Sequence, residues 1–140
     1  MADQVLIVDD DRRLSAMLAE YLTGNGGFRV RTVNTAGAGI AEIARLAPAA
    51  VVLDVLLPDM DGFEALKRIR ANSDVPVLML TARGGETDHI LGLETGADQY
   101  VQRPCSSREV LARLMAILRR RNGCVPSICD EITASLRTKA

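Results

Sequence analysis

Apolar residues recur along this chain in two alternating styles, short unbroken runs and stripes spaced three and four residues apart, and the alternation sets out the elements. Val5, Leu6, Ile7 and Val8 form the first run, with the length and β-branched content of a fully buried strand. From Arg12 to Thr23 the positions Leu14, Met17, Leu18, Tyr21 and Leu22 fall on one helical face, and Asn25, Gly26 and Gly27 end it. Phe28, Val30 and Thr32 alternate with Arg29, Arg31 and Val33, which predicts a strand with one partly polar side, at an edge of a sheet. A helix from about Thr35 to Leu46 follows, stopped by Pro48. Gly37 and Gly39 each cost it ~1 kcal/mol relative to alanine, so packing must hold it.

The stretch from Ala50 to Gly62, AVVLDVLLPDMDG, is a third strand interrupted by one carboxylate, Asp54, and closed by a loop with Pro58 and Gly62. Phe63, Leu66 and Ile69 then make a helical stripe with Lys67, Arg68 and Arg70 opposite, ending near Asn72. Pro76 to Thr81 is another short apolar run. A helix around Thr87 to Glu94, ended by Gly96, and a strand at Tyr100 and Val101 follow. Ser106 and Ser107 are suited to cap a last helix reaching about Arg121. Strands alternating with helices in this way predict an α/β, doubly wound, five-stranded parallel sheet with helices on both faces.

Two strand ends carry the chemistry. Asp9, Asp10 and Asp11 follow the first strand at once, and Asp54 stands at the end of the third, where open parallel sheets bind ligands. If the two strands are parallel neighbours, Asp9, Asp10 and Asp54 meet, and three carboxylates so close repel one another. A divalent cation resolves this; a few hard oxygens open to solvent suit Mg²⁺, which keeps several waters and takes phosphate oxygens. Taken singly, Asp9 and Asp11 are equally suited to capping the next helix, and Asp54 to capping its loop.

Composition narrows the setting. Of the 140 residues 48% are apolar and 25% charged, with net charge −1, which fits one globular domain and is too little positive charge for autonomous DNA binding. The absence of Trp argues against a base-stacking platform. Cys105, Cys124 and Cys129 are odd in number and lack metal-ligand spacing, with His89 the single histidine; a reducing cytoplasm is expected. The first residues lack a basic leader and no apolar run approaches a membrane span, so neither export nor membrane insertion is expected.

The segments VLIVDDD, LDVLLPDMDG, PVLMLTAR, GLETGADQY and RPCSSREVLARL stand in an order and spacing that resemble the response-regulator receiver domain of two-component signalling, from about Gln4 to Arg121. The last two are similar to the OmpR/PhoB-type transcription regulators. The resemblance implies the flavodoxin-like strand order 2-1-3-4-5. It implies that Asp54 accepts a phosphoryl group from a sensor histidine kinase, with Mg²⁺ held by Asp9, Asp10, Asp54 and the backbone carbonyl of Leu56. Thr81 and Tyr100 become switch residues. On this basis the protein catalyses its own phosphorylation and dephosphorylation without being a conventional enzyme, and dimerises to control transcription through a DNA-binding domain absent here.

The resemblance also places a homodimer face on the fourth helix, fifth strand and last helix. Ile90, Leu93 and Ala112 fit its apolar patch, and Glu94, Asp98, Glu109, Arg113 and Arg120 fit its charged frame. His89 stands where a Lys or Arg is usual and Gln99 where an acid is usual. The main departure is Arg103, which precedes Pro104 where the family has a lysine that contacts the acceptor; a planar guanidinium follows a moving phosphoryl oxygen less readily than a compact ammonium does. The alternative is therefore a pseudo-receiver, an interaction module that works without phosphorylation. An aspartyl hydrolase fits worse, because no acid stands two residues after Asp54 to act as general acid. Residues 122–140 read as a linker followed by one strand, with Ile132, Ala134 and Leu136 alternating with polar residues. They are either the first strand of a truncated winged-helix DNA-binding domain or a pairing tail of a stand-alone receiver.

Overall fold

The computed structural model describes residues 3–81, 94, 96–102 and 106–121. Five strands, β1 (Gln4–Val8), β2 (Arg29–Val33), β3 (Ala50–Asp54), β4 (Val77–Thr81) and β5 (Gln99–Gln102), form one sheet in the order β2-β1-β3-β4-β5. Every pairing is parallel. The helices are α1 (Arg12–Gly26), α2 (Ala36–Leu46), α3 (Gly62–Asn72) and a C-terminal helix (Ser107–Arg121). The expected helix around Thr87, its end at Glu94 excepted, and the tail from 122 onward lie outside the described residues.

Alternation along the central strands explains why the sheet is covered twice. Leu6, Val8, Val51, Leu53, Val77 and Met79 pack with Ile43 of α2 and Phe63, Leu66 and Ile69 of α3. Val5, Ile7, Val52, Leu78 and Leu80 pack on the other face with Leu18 and Leu22 of α1 and Val110, Leu114 and Ile117 of the C-terminal helix. β2 is at the edge, as its mixed pattern predicts, and its exposed arginines discourage pairing with another chain.

Helix ends follow side-chain capping, with local departures from the simple pattern. Asp11 Oδ1 accepts the N–H groups of Arg13 and Leu14 at 3.1 Å each to start α1. That helix continues through Asn25 and Gly26 and is capped at Gly27, whose N–H reaches Thr23 O at 3.3 Å. α2 ends at Leu46 and is capped by Ala47 in the left-handed region, φ 47°, one residue before Pro48. Of its two glycines Gly39 is explained by close approach, because a Cβ there would come within 2.7 Å of Val8 Cγ2. The α1 face is also rotated from the apolar stripe: Ser15, Leu18 and Leu22 are buried, whereas Leu14 is 40% and Met17 57% exposed. Among the described residues no helix is long and apolar enough to cross a membrane.

Candidate functional site

The register of the two central strands builds the site. Val8 of β1 lies opposite Leu53 of β3, so both strands stop together and Asp9 and Asp54 emerge side by side at their carboxyl ends. Both are buried, at 4% and 6% exposure, while Asp10 is exposed. One carboxylate oxygen from each of Asp9, Asp10 and Asp54 lies within 4.8 Å of the others. Asp9 Oδ1 accepts the Asp11 N–H at 3.0 Å, and Asp54 Oδ1 accepts the Leu56 N–H at 3.3 Å. These local bonds orient the two buried carboxylates without dispersing the cluster. A set of hard oxygens from one strand end and one adjacent turn, with one member open to water, fits a small divalent cation of the Mg²⁺ kind.

The loop after Asp54 is tied at several points. Leu56 bridges Asp61 in antiparallel fashion, and the Gly62 N–H donates to Val55 O at 2.7 Å. Any Cβ at Gly62 would fall on the Asp54 carbonyl and Val55 Cα, so only glycine lets α3 start this close to the strand. Asp61 caps α3 by accepting the Phe63 N–H at 2.8 Å. Leu56 points its side chain outward, half exposed, while its backbone stays beside Asp54.

Two polar residues that the hydropathy pattern left as loop fill stand next to this site. Asp59 accepts the N–H groups of Ala36 and Gly37, at 2.9 Å each, and so takes the first two donors of α2. Those backbone donors, Gly37 first and Ala36 second, hold its carboxyl below the ordinary carboxylate range. Asn34 Nδ2 donates to the Asp9 carbonyl at 3.0 Å.

Of the remaining residues named from the sequence, Thr81 ends β4 one position beyond Leu80, the partner of Asp54. Tyr100 lies on β5 opposite Met79, is buried at 7% exposure, and stacks on Phe63 with centroids 6.5 Å apart and planes 4° from parallel. Glu94, Asp98, Ala112 and Arg120 are exposed, and Glu109 and Arg113 are half-buried. Arg103, His89, Ile90 and Leu93 lie outside the described residues.

Sequence reasoning put Arg70 on the solvent face of α3; its side chain instead turns inward. Its guanidinium donates to Val75 O at 2.6 Å, Gly96 O at 2.9 Å and Asp98 Oδ1 at 3.0 Å, and Asp98 Oδ1 also accepts the Val77 N–H at 2.9 Å. It fastens the end of α3 to the start of β4 and the approach to β5. A groove of about 700 Å³ opens at this lower end of the sheet, lined by residues such as Ile43, Pro48, Val75 and Leu118, away from the acids.

Residues 5–115 match the family described as "Response regulator receiver domain". The chain belongs to that family. The receiver domain is 47% identical over 116 residues to the sensory transduction protein RegX3 of Mycobacterium tuberculosis, covering 83% of this chain and 51% of RegX3. It thus spans about half the length of the curated relatives it matches. Among solved structures it is similar to the BeF3-activated N-terminal receiver domain of Klebsiella pneumoniae RstA, with TM-score 0.79 and 32% identity over 84% of this chain and 99% of that one. It is also similar to DrrB, an OmpR/PhoB homologue of Thermotoga maritima, with TM-score 0.78 and 32% identity over 86% of this chain and 54% of DrrB. The acid cluster therefore sits in the receiver domain of a two-component response regulator.

Proposed function

We propose that Asp54 of this receiver domain accepts a phosphoryl group from a phosphohistidine of a sensor histidine kinase. The observation that carries this is the convergence of Asp9, Asp10 and Asp54 within 4.8 Å at the carboxyl rim of the sheet. Asp9, Asp10, Asp54 and the Leu56 carbonyl would hold Mg²⁺, which when bound offsets charge on the transferred oxygens. An Asp54 oxygen attacks phosphorus; the new O–P bond forms as the P–N bond breaks, and its electron pair stays on the departing imidazole. Burial of Asp54 and Asp9 holds the attacking carboxylate and its neighbour in fixed positions, so positioning supplies most of the rate.

The added charge and acceptor oxygens would engage Thr81 and Arg103, and Tyr100, stacked on Phe63, would follow. The output is a homodimer through the face that carries His89, Ile90, Leu93, Glu94, Asp98, Glu109, Ala112, Arg113 and Arg120. In the full-length protein, residues 122–140 lead from the receiver domain at 1–121 to a DNA-binding domain, in keeping with the half-length match to RegX3. The protein acts in the cytoplasm.

The test is the mass of the intact protein after incubation with Mg²⁺ and acetyl phosphate, with Asp54→Asn as control. One added phosphoryl group that needs both Mg²⁺ and Asp54 is expected. An unmodified wild-type mass at high donor concentration would overturn the assignment.

A further inference from the structure

Asp54 stays paired with Leu80 of β4, but strand pairing between β1 and β3 ends at Val8 and Leu53, so no ladder bond joins the Asp9 and Asp54 loops to each other. The turn between β2 and α2 spans that gap. On one side Asn34 Nδ2 of this turn donates to the Asp9 carbonyl at 3.0 Å, while the Asp9 N–H continues the strand ladder onto Val33 O of β2 at 3.1 Å. On the other side the Asp59 carboxylate bridges the N–H groups of Ala36 and Gly37 at 2.9 Å each. Asp59 in turn sits within the loop closed by the Leu56–Asp61 bridge, whose first turn is fastened to Asp54.

We propose that Asn34 and Asp59 are positioning residues that brace the two acid-bearing loops against each other through the β2–α2 turn, and thereby set the Mg²⁺ affinity of the acid cluster. The proposal rests on the Mg²⁺ site named under Proposed function. Neither residue reaches the cluster itself; each acts on the backbone that carries it. The turn is a firm strut because α2 cannot slide on β1, where Gly39 is packed against Val8. The Asp59 half is the stronger, since a carboxylate accepting two helix N-terminal N–H groups makes charge-assisted bonds aligned with the helix dipole, whereas Asn34 makes one neutral bond. Groups that orient metal ligands at second hand commonly matter about tenfold or more in metal affinity.

Calorimetric titration of Mg²⁺ into the 140-residue chain tests this, with melting curves run alongside. Asp59→Ala should raise the Mg²⁺ dissociation constant about tenfold, with Asn34→Ala giving a smaller rise in the same direction. Asp59→Asn, which keeps the shape and one acceptor oxygen, should fall between Asp59→Ala and wild type and serves if Asp59→Ala does not fold. Thr35→Ala is the discriminating control, because it removes a cap bond of the same helix, Thr35 Oγ1 to the Ala38 N–H at 3.1 Å, that is no part of the brace. It should lower the melting temperature and leave Mg²⁺ binding as in wild type. Wild-type Mg²⁺ affinity in Asp59→Asn and Asp59→Ala would overturn the brace and leave Asp59 a helix cap. Equal weakening in Thr35→Ala would also overturn it, pointing to general loosening of α2. Failure of the wild-type chain to bind Mg²⁺ would instead overturn the metal site, and the brace with it.

Discussion

Replacing Arg70 with alanine should be among the most damaging single changes available outside the apolar core. Three bonds of useful length leave its guanidinium, to Val75 O at 2.6 Å, Gly96 O at 2.9 Å and Asp98 Oδ1 at 3.0 Å; a fourth, to Ser73 O at 3.4 Å, is too long to count for much. A hydrogen bond involving a charged group contributes ~1.5–3 kcal/mol when little water competes, and Arg70 is only 21% exposed. The two carbonyl bonds, at the lower end of that range, then supply about 3 kcal/mol. The ion pair adds only ~0–1 kcal/mol, because Asp98 is 38% exposed. A loss of about 3 kcal/mol is a large part of the ~5–15 kcal/mol that a domain of this size has. With an unfolding entropy of ~2.1 cal/mol/K per residue, it lowers the melting temperature by roughly 10 °C.

Urea unfolding followed by far-ultraviolet circular dichroism gives the number, and Arg70→Lys supplies the decisive comparison. An ammonium keeps the charge beside Asp98 but lacks the planar fork that meets two carbonyls and a carboxylate together. It should therefore recover about 1 kcal/mol or less of the loss. Should Arg70→Lys unfold at the wild-type urea midpoint, or Arg70→Ala lose under ~1 kcal/mol, water would be satisfying Val75 and Gly96 without help and the clamp would have no energetic content.

Mg²⁺ at a hundredfold excess over its dissociation constant should stabilise the wild-type fold by ~2.7 kcal/mol, and Asp10→Asn should lose most of that gain while stabilising the metal-free protein by relieving repulsion; an unchanged Mg²⁺ response in melts of Asp10→Asn would remove Asp10 from the site. Ser15→Ala should raise stability by ~1 kcal/mol, since the buried Ser15 Oγ has no hydrogen-bond partner among the described residues and alanine is the better helix former; a loss on urea unfolding would show that the hydroxyl is satisfied. Because the Asp59 carboxyl titrates below its unfolded value of ~3.9, its contribution is present in full above that pH and is lost as pH falls through the lower folded value, so wild type should lose stability faster than Asp59→Asn below about pH 4; parallel acid titrations of the two would contradict this. Leu93→Asp should abolish dimerisation induced by phosphorylation, by placing an unpaired charge in the apolar patch, and sedimentation of the phosphorylated variant as a dimer would rule that face out.

Some of this was legible in the sequence for reasons that can be named. The short β-branched runs at Val5–Val8 and Ala50–Leu53 survive as strands because a parallel sheet buried on both faces demands continuous apolar stretches. The acids were legible because two such runs end in carboxylates, and parallel neighbours in register must bring them together. What stayed hidden depends on rotation or on distant partners. The α1 pattern contains two overlapping stripes, and sequence alone does not say that the sheet takes Ser15, Leu18 and Leu22 rather than Leu14 and Met17. Arg70 looks like its neighbours Lys67 and Arg68 until the turn at Gly96 and the carboxylate of Asp98, 26 and 28 residues on, arrive beneath it. Asn34 and Asp59 fall between the predicted elements, and their partners, Asp9 for one and Ala36 and Gly37 for the other, lie more than twenty residues away. No local periodicity encodes such bonds.

The same distinction bears on the dimer. The charged frame of the proposed face does not wait unpaired in the protomer: Asp98 is held by Arg70, while Arg113 donates to Gln99 Oε1 at 2.9 Å and pairs with Glu109 at 3.2 Å. A dimer through this face would exchange bonds within a protomer for bonds between protomers, and exposed pairs contribute only ~0–1 kcal/mol each in either setting. The net electrostatic gain is therefore small, and smaller still where Gln99 replaces an acid and Arg113 loses a charged partner. Affinity must then come from apolar area. Ala112 supplies little of that, which puts the weight on Ile90 and Leu93. In a dimer through this face the ion pairs would set register rather than strength.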